Sequence, residues 1–160
     1  MLHIVTDNLI TQRKEKDPEL RRASLEGLAT IITGNLSSCH DQVGDIEQFA
    51  LECALADPSL IEEKDLGPFK IKEDHGLPMS KAAYNLLDIL YTNSESMDRA
   101  RFVEVLIAGL TDPAEDKIIL CLTLLTKVSN RTCTNVLLKM DSLVTGFEAI
   151  FKSNMRLVGK

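Results

Sequence analysis

Along most of the chain, apolar residues recur at three- and four-residue spacing, the pattern of amphipathic helices. In residues 1 to about 14, Leu2, Val5, Leu9 and Ile10 share one face. This segment opens apolar, with no cap or polar lead-in, so we expect a cut from a longer array or a partner over this end. Asp17-Pro18 is a helix start, an Asp cap with Pro in the first turn. Leu20, Ser24, Leu28, Ile31 and Ile32 then face one way until Gly34-Asn35 ends the helix. Residues 45–56 carry the stripe Ile46, Phe49, Ala50 and Cys53. Asp57-Pro58 opens a further helix, predicted to reach only Glu62-Glu63. Helical spacing returns at Ser80, a candidate cap, with Ala83, Leu86, Leu87 and Leu90 inward. After a loop at 93–96, a helix over 98–110 carries Phe102, Val105, Leu106 and Leu110. Asp112-Pro113 opens the next, to about 129, with a stripe of Ile118, Leu122 and Leu125. A short helix at 132–139 and a longer one at 141–152 follow, the latter with Leu143, Phe147, Ile150 and Phe151 apolar. Residues 153–160 have a weak pattern and are expected to fray.

One stretch, between Leu66 and Met79, breaks the helical rule with two prolines (Pro68, Pro78) and two glycines (Gly67, Gly76). Phe69-Lys70-Ile71-Lys72 alternates apolar and charged residues, as a two-faced strand does. Glu73-Asp74-His75-Gly76 supplies turn chemistry, with Gly76 free to take positive φ. Leu77 and Met79 resume the alternation, so a short β-hairpin is expected here, with the function on it. Its apolar face would be Phe69 and Ile71 opposite Leu77 and Met79. A strand of about six residues spans about 20 Å, enough to leave a helical surface. Pro68 and Pro78, without amide donors, suit edge strands. As a contact surface, Phe69 and Leu77 would anchor and Lys70, Lys72, Glu73 and Asp74 would form a polar rim. The other reading of the same pattern is a hairpin folded back over its own repeat.

The Asp-Pro starts at 17, 57 and 112 lie 40 and 55 residues apart. A period of about 40 residues with two helices per unit is the signature of HEAT-type solenoids. The longer interval exceeds the shorter by about the length of the non-helical stretch, so one insertion explains both irregularities. The expected fold is therefore all-α. It is a single HEAT-type solenoid domain over residues 1–160, with three to four antiparallel helix pairs and one inserted hairpin. An irregular helical bundle with one surface loop is the alternative.

Composition fits this picture: 44% hydrophobic and 26% charged residues in 160, with 4% aromatic and no Trp, describe a core of aliphatic side chains. A net charge of -6 with scattered Lys and Arg argues against a nucleic-acid or anionic-membrane surface. No apolar run approaches the roughly 20 residues that span a bilayer, and no secretory signal is visible. Cys39, Cys53, Cys121 and Cys133 show no paired spacing and are expected as free thiols, with Cys53 and Cys121 as small core residues. Cys39-His40 is the one adjacent Cys and His. It sits in a polar loop without an orienting third group, so a catalytic thiol is not expected. His3, His40 and His75 have no zinc spacing with the cysteines, and Glu62-Glu63 and Glu73-Asp74 read as solvated charges. His75, in the turn, would tune binding near its titration range or simply be solvated. No phosphate-binding glycine loop is present, and no cofactor or metal is expected.

Certain residues resemble a known family. Leu66-Gly67-Pro68-Phe69-Lys70, the turn Glu73-Asp74-His75-Gly76-Leu77 and Lys81-Ala82-Ala83-Tyr84 with Leu86-Leu87-Asp88 are similar to the C-terminal domain of cullin-associated, neddylation-dissociated proteins. That domain is also described as TATA-binding-protein-interacting. The likeness continues through Gly109-Leu110, Asp116-Lys117 and the run from Val136 to Val144, and upstream at Asp17-Pro18-Glu19-Leu20-Arg21-Arg22-Ala23. It implies a HEAT solenoid, no enzymatic activity, and binding to the N-terminal region of a cullin not carrying the ubiquitin-like tag. The hairpin would compete there with the adaptor of substrate receptors, so that the protein exchanges receptors on cullin–RING ubiquitin ligases. The contact residues implied are Leu66, Pro68, Phe69, Lys70, Ile71, Lys72, Glu73, Asp74, His75 and Leu77. TATA-binding protein is a further partner, the rest of the solenoid would adjoin the N-terminal end, and a cytoplasmic and nuclear location is expected. The chain is too short to encircle a cullin and stops near where the family continues with another helical segment. Other readings are a HEAT scaffold for a transport, phosphatase or transcription-factor partner, and a small thiol enzyme using Cys39.

Overall fold

Asp17 starts the first long helix as its sequence implies: the carboxylate accepts the Glu19 amide proton at 2.9 Å, and Pro18 needs no partner for the amide it lacks. The computed structural model describes the backbone of residues 2–55, 57–66 and 69–158, and their side chains apart from 64–66, 69–72 and 153–158. The chain divides into two compact units, Met1–Met97 and Asp98–Lys160.

The first unit holds helices α1 (Leu2–Thr11), α2 (Pro18–Asn35), α3 (Val43–Ala54) and α4 (Leu77–Asn93), with short 3-10 segments between them. α4 packs against both α2 and α3. Leu25 and Leu28 of α2, Ile46, Phe49, Ala50 and Cys53 of α3, and Ala83, Tyr84, Leu86, Leu87 and Leu90 of α4 have no exposed surface. Each fully buried Leu or Phe contributes roughly 2–3 kcal/mol of hydrophobic free energy, so this layer dominates the unit's stability. The stripes expected on α3 and α4 are the buried ones. On α1 the expectation fails, because Leu2 and Val5 are exposed and Thr6 is the buried residue. Its hydroxyl donates to the Leu2 carbonyl at 3.0 Å and lies 3.4 Å from the Cys39 sulfur, which makes a small polar residue the one that fits inward. Leu20 on α2 is likewise exposed.

Between α3 and α4 the chain makes a 3-10 turn (Pro58–Leu60) and two antiparallel strands, β1 (Ile61–Leu66) and β2 (Phe69–Asp74). Ile61 pairs with Asp74 and Leu66 with Phe69. The inserted hairpin is present, but it begins and ends earlier than its pattern suggests. Glu62-Glu63 belong to β1, where a helix end was expected. Leu77 and Met79 belong to the first turn of α4 rather than to a strand, and Pro78 sits where a helix tolerates it. Gly76 precedes that helix at φ -83°, not at positive φ. Ser80 does not cap α4; its hydroxyl donates to the Cys53 carbonyl at 3.0 Å and ties α4 to the end of α3.

The second unit holds α5 (Arg99–Gly109), α6 (Glu115–Arg131), α7 (Cys133–Leu137) and α8 (Met140–Val158). α5 and α6 pack as a pair around Phe102, Leu106, Cys121, Leu125 and Val128. Asp98 caps α5 by accepting the Arg101 amide proton at 3.1 Å. At the third Asp-Pro the helix starts two residues late, at Glu115, and Asp112 instead accepts the Ala114 amide proton at 3.0 Å. The buried stripe of α6 is Lys117, Cys121, Leu124, Leu125 and Val128, which excludes the expected Ile118 and Leu122. α8 buries Leu143 but leaves Phe147 and Phe151 exposed, and its backbone stays helical through Val158. The fold class is all-α, with helix pairs of the HEAT kind and one small antiparallel hairpin. No helix among the described residues is long and apolar enough to cross a membrane.

Candidate functional site

The hairpin is the one β element among the described residues, and both of its legs are rooted in hydrogen bonds. On the entry side, the Asp57 carboxylate accepts from the Ser59 amide at 2.9 Å and the Ser59 hydroxyl at 2.6 Å. The Ser59 side chain and then its amide hold the Asp57 carboxyl below its usual range. On the exit side, the Asp74 carboxylate accepts the Gly76 amide proton at 2.8 Å. The legs are joined where the His75 amide donates to the Leu60 carbonyl at 3.0 Å, extending the ladder past Ile61 and Asp74.

Glu62 and Glu73 stand directly opposite each other across the strands. Like charges in that position weaken a strand pair. His75 lies beside them, its Nε2 3.1 Å from Glu62 Oε2. All three are exposed, and their ligand atoms lie within 4.8 Å of one another, a histidine–carboxylate set of the kind that divalent transition metals accept. It is the one such group among the described residues. Sequence spacing did not reveal it, because the pairing of β1 with β2, not proximity along the chain, brings Glu62 to Glu73.

Of the expected contact residues, Glu73 and His75 are exposed and Asp74 is half-buried at the base of β2. Leu77 is half-buried at the start of α4, so it is not a strand partner of Phe69. Leu66, Phe69, Lys70, Ile71 and Lys72 lie in the paired strands, with side chains outside the described residues, and Pro68 lies wholly outside them. Sequence reading missed Ile61 to Asp65 as strand, since only Ile61 and Leu66 are apolar there and no alternation marks them.

Three of the four thiols are buried. Cys39 lies in the 3-10 segment Leu36–Gln42 rather than in a polar loop, and is 1% exposed while its neighbour His40 faces solvent. Cys53 is fully buried, and burial pushes its thiol up to about 11 even though the Arg21 guanidinium donates to its sulfur at 3.0 Å. Cys121 is also buried, and Cys133 is the exposed cysteine.

Residues 39–157 match the profile of a family described as TATA-binding protein interacting (TIP20). Several proteins named Cullin-associated NEDD8-dissociated protein 1 are similar to the chain. The Dictyostelium discoideum protein is 38% identical over 74 residues, 46% of this chain and 6% of that relative. The Arabidopsis thaliana protein is 29% identical over 133 residues, 82% of this chain and 11% of the relative. A C-terminal part from Emericella nidulans is 24% identical over 148 residues, 92% of this chain and 14% of the relative. The chain thus spans about a tenth of the length of these relatives.

Proposed function

The chain belongs to the TATA-binding protein interacting (TIP20) family, and from that membership we propose that it is a non-catalytic docking module for the N-terminal region of a cullin. The hairpin is its contact element. It reaches the surface on which the adaptor of substrate receptors docks, and competition there regulates assembly and receptor exchange of cullin–RING ubiquitin ligases. The cullin bound is one without the ubiquitin-like tag, and the module works in the cytoplasm and nucleus. The names of the relatives, cullin-associated and NEDD8-dissociated, support the partner. The observation that carries the reading is the two-stranded insertion at 61–74, inside the matched segment of an otherwise helical chain. Contact through β1 and β2 suits a partner surface that the flanking helices do not reach, since each six-residue strand spans about 20 Å.

The test replaces residues 61–74 by a Gly-Ser linker, with circular dichroism as the check on helicity. Capture of a cullin N-terminal domain is expected to fall at least about tenfold, a loss of about 1.4 kcal/mol or more. Unchanged capture by a folded variant removes the hairpin from the mechanism. The family's description favours a second partner, TATA-binding protein, which the same pair of chains tests in a parallel capture.

A further inference from the structure

Gly76 lies between the two roots of the hairpin. It is buried, and its φ of -83° is one that any residue adopts, so backbone freedom does not explain the glycine. Space does. A Cβ built there would stand 3.0 Å from Leu60 Cδ1, 3.2 Å from Asp74 Oδ1 and 3.5 Å from Leu60 Cβ. Leu60 is the residue before β1, and Asp74 is the last of β2. Both legs of the hairpin therefore converge on the place where Gly76 has no side chain.

The surroundings of this contact are held. The Leu60 amide donates to the Asp57 carbonyl at 3.0 Å, and its own carbonyl accepts from the His75 amide at 3.0 Å. Asp74 Oδ1 is occupied by the Gly76 amide at 2.8 Å. On the other side, the Ser80 amide donates to the Gly76 carbonyl at 2.9 Å, and the Ser80 hydroxyl fastens this helix end to α3. The end of α4 is thus fixed to the body of the first unit, and among the described contacts Leu60, Asp74 and His75 join the hairpin to it.

We propose that Gly76 is the positioning residue of the hairpin: by letting the Leu60 side chain rest against bare backbone, it sets the direction in which the strands leave α4. The functional weight of this rests on the reading of the hairpin as the partner-binding element. A methyl group at 76 would stand 3.0 Å from Leu60 Cδ1 and 3.2 Å from Asp74 Oδ1, so these neighbours must give by a few tenths of an ångström, and with α4 anchored that shift falls on the hairpin side of the contact.

Direction is measurable without any partner. Spin labels on cysteines placed at the exposed positions Glu63 and Asn85 report the separation of β1 from α4. The background carries Cys133→Ser, which leaves only the three buried cysteines. Gly76→Ala is expected to shift or broaden the distance distribution with the helical circular dichroism unchanged. Adding Leu60→Ala makes room for the methyl and is expected to restore the parent distribution. Leu60→Ala alone, which empties the seat without a clash, broadens it. Capture of a cullin N-terminal domain should weaken about tenfold in Gly76→Ala and recover in the double variant. An unchanged distribution in Gly76→Ala or in Leu60→Ala, or a shift that Leu60→Ala does not relieve, overturns the proposal. Distances that behave as expected while capture stays constant support the positioning role and overturn the binding reading instead.

Discussion

Lys117 Nζ stands 2.7 Å from Asp112 Oδ2, with the two side chains only 1% and 5% exposed. The same carboxylate accepts the Ala114 amide proton at 3.0 Å, so one buried acid holds both the entry to α6 and the cation on its inner face. Removing one member of such a pair strands the other charge away from water. Asp112→Ala is therefore expected to destabilise the chain by about 3–5 kcal/mol in urea unfolding. Lys117→Met should cost less, since the new side chain is apolar and Asp112 keeps its amide donor. The opposite ranking would contradict this assignment of roles.

Cys53 links stability to alkaline pH. Its thiol is raised from 9.0 to about 11, so the folded state favours the neutral form more than the unfolded state does. That contribution is complete below about pH 9 and is lost as pH rises through about 11. The full effect is on the order of 2–3 kcal/mol. Unfolding free energies measured at pH 8.5 and 10.5 should differ less in Cys53→Ala than in the parent; an equal difference would count against a buried neutral thiol.

The four thiols should separate by access. A small electrophile at neutral pH is expected to modify Cys133 first, and Cys39, Cys53 and Cys121 only after denaturant is added. Mass mapping of the modified peptides decides this. Rapid native modification of Cys39 would reopen the thiol-enzyme reading.

Asp17→Ala removes the carboxylate that caps α2 and should cost about 1 kcal/mol. A thermal midpoint lowered by about 2–4 °C would match a loss of that size in a chain of this length. No shift would mean that the end of α2 is held by tertiary contacts instead.

The helices were legible where one residue does one local job. Asp17-Pro18 starts α2, Asn35 ends it, and the stripes of α3, α4 and α5 are the buried ones. The hairpin was legible as an interruption, because two prolines and two glycines cannot continue a helix and the Asp-Pro spacing stretches by a matching length. Its register was not. β1 reads Ile61-Glu62-Glu63-Lys64-Asp65-Leu66, with no alternation to mark it. The acidic turn at 73–76 resembles a hairpin tip but serves as the exit, with Asp74 bonded to the Gly76 amide. The stripe of α6 was misjudged because a buried lysine paired in charge with Asp112 looks, in sequence, like a solvent-facing position. The grouping of Glu62, Glu73 and His75, and the seat of Leu60 on Gly76, depend on strand pairing and three-dimensional approach that linear spacing does not encode.

The central claim is competition for one surface of a cullin. The direct measurement titrates a fluorescent adaptor onto a cullin N-terminal domain in the presence of rising amounts of this chain. The account predicts that the apparent Kd of the adaptor rises in proportion to the chain present, and that the chain with residues 61–74 replaced by a linker leaves it unchanged. A ternary complex, in which chain and adaptor sit on the same cullin without weakening each other, would contradict it.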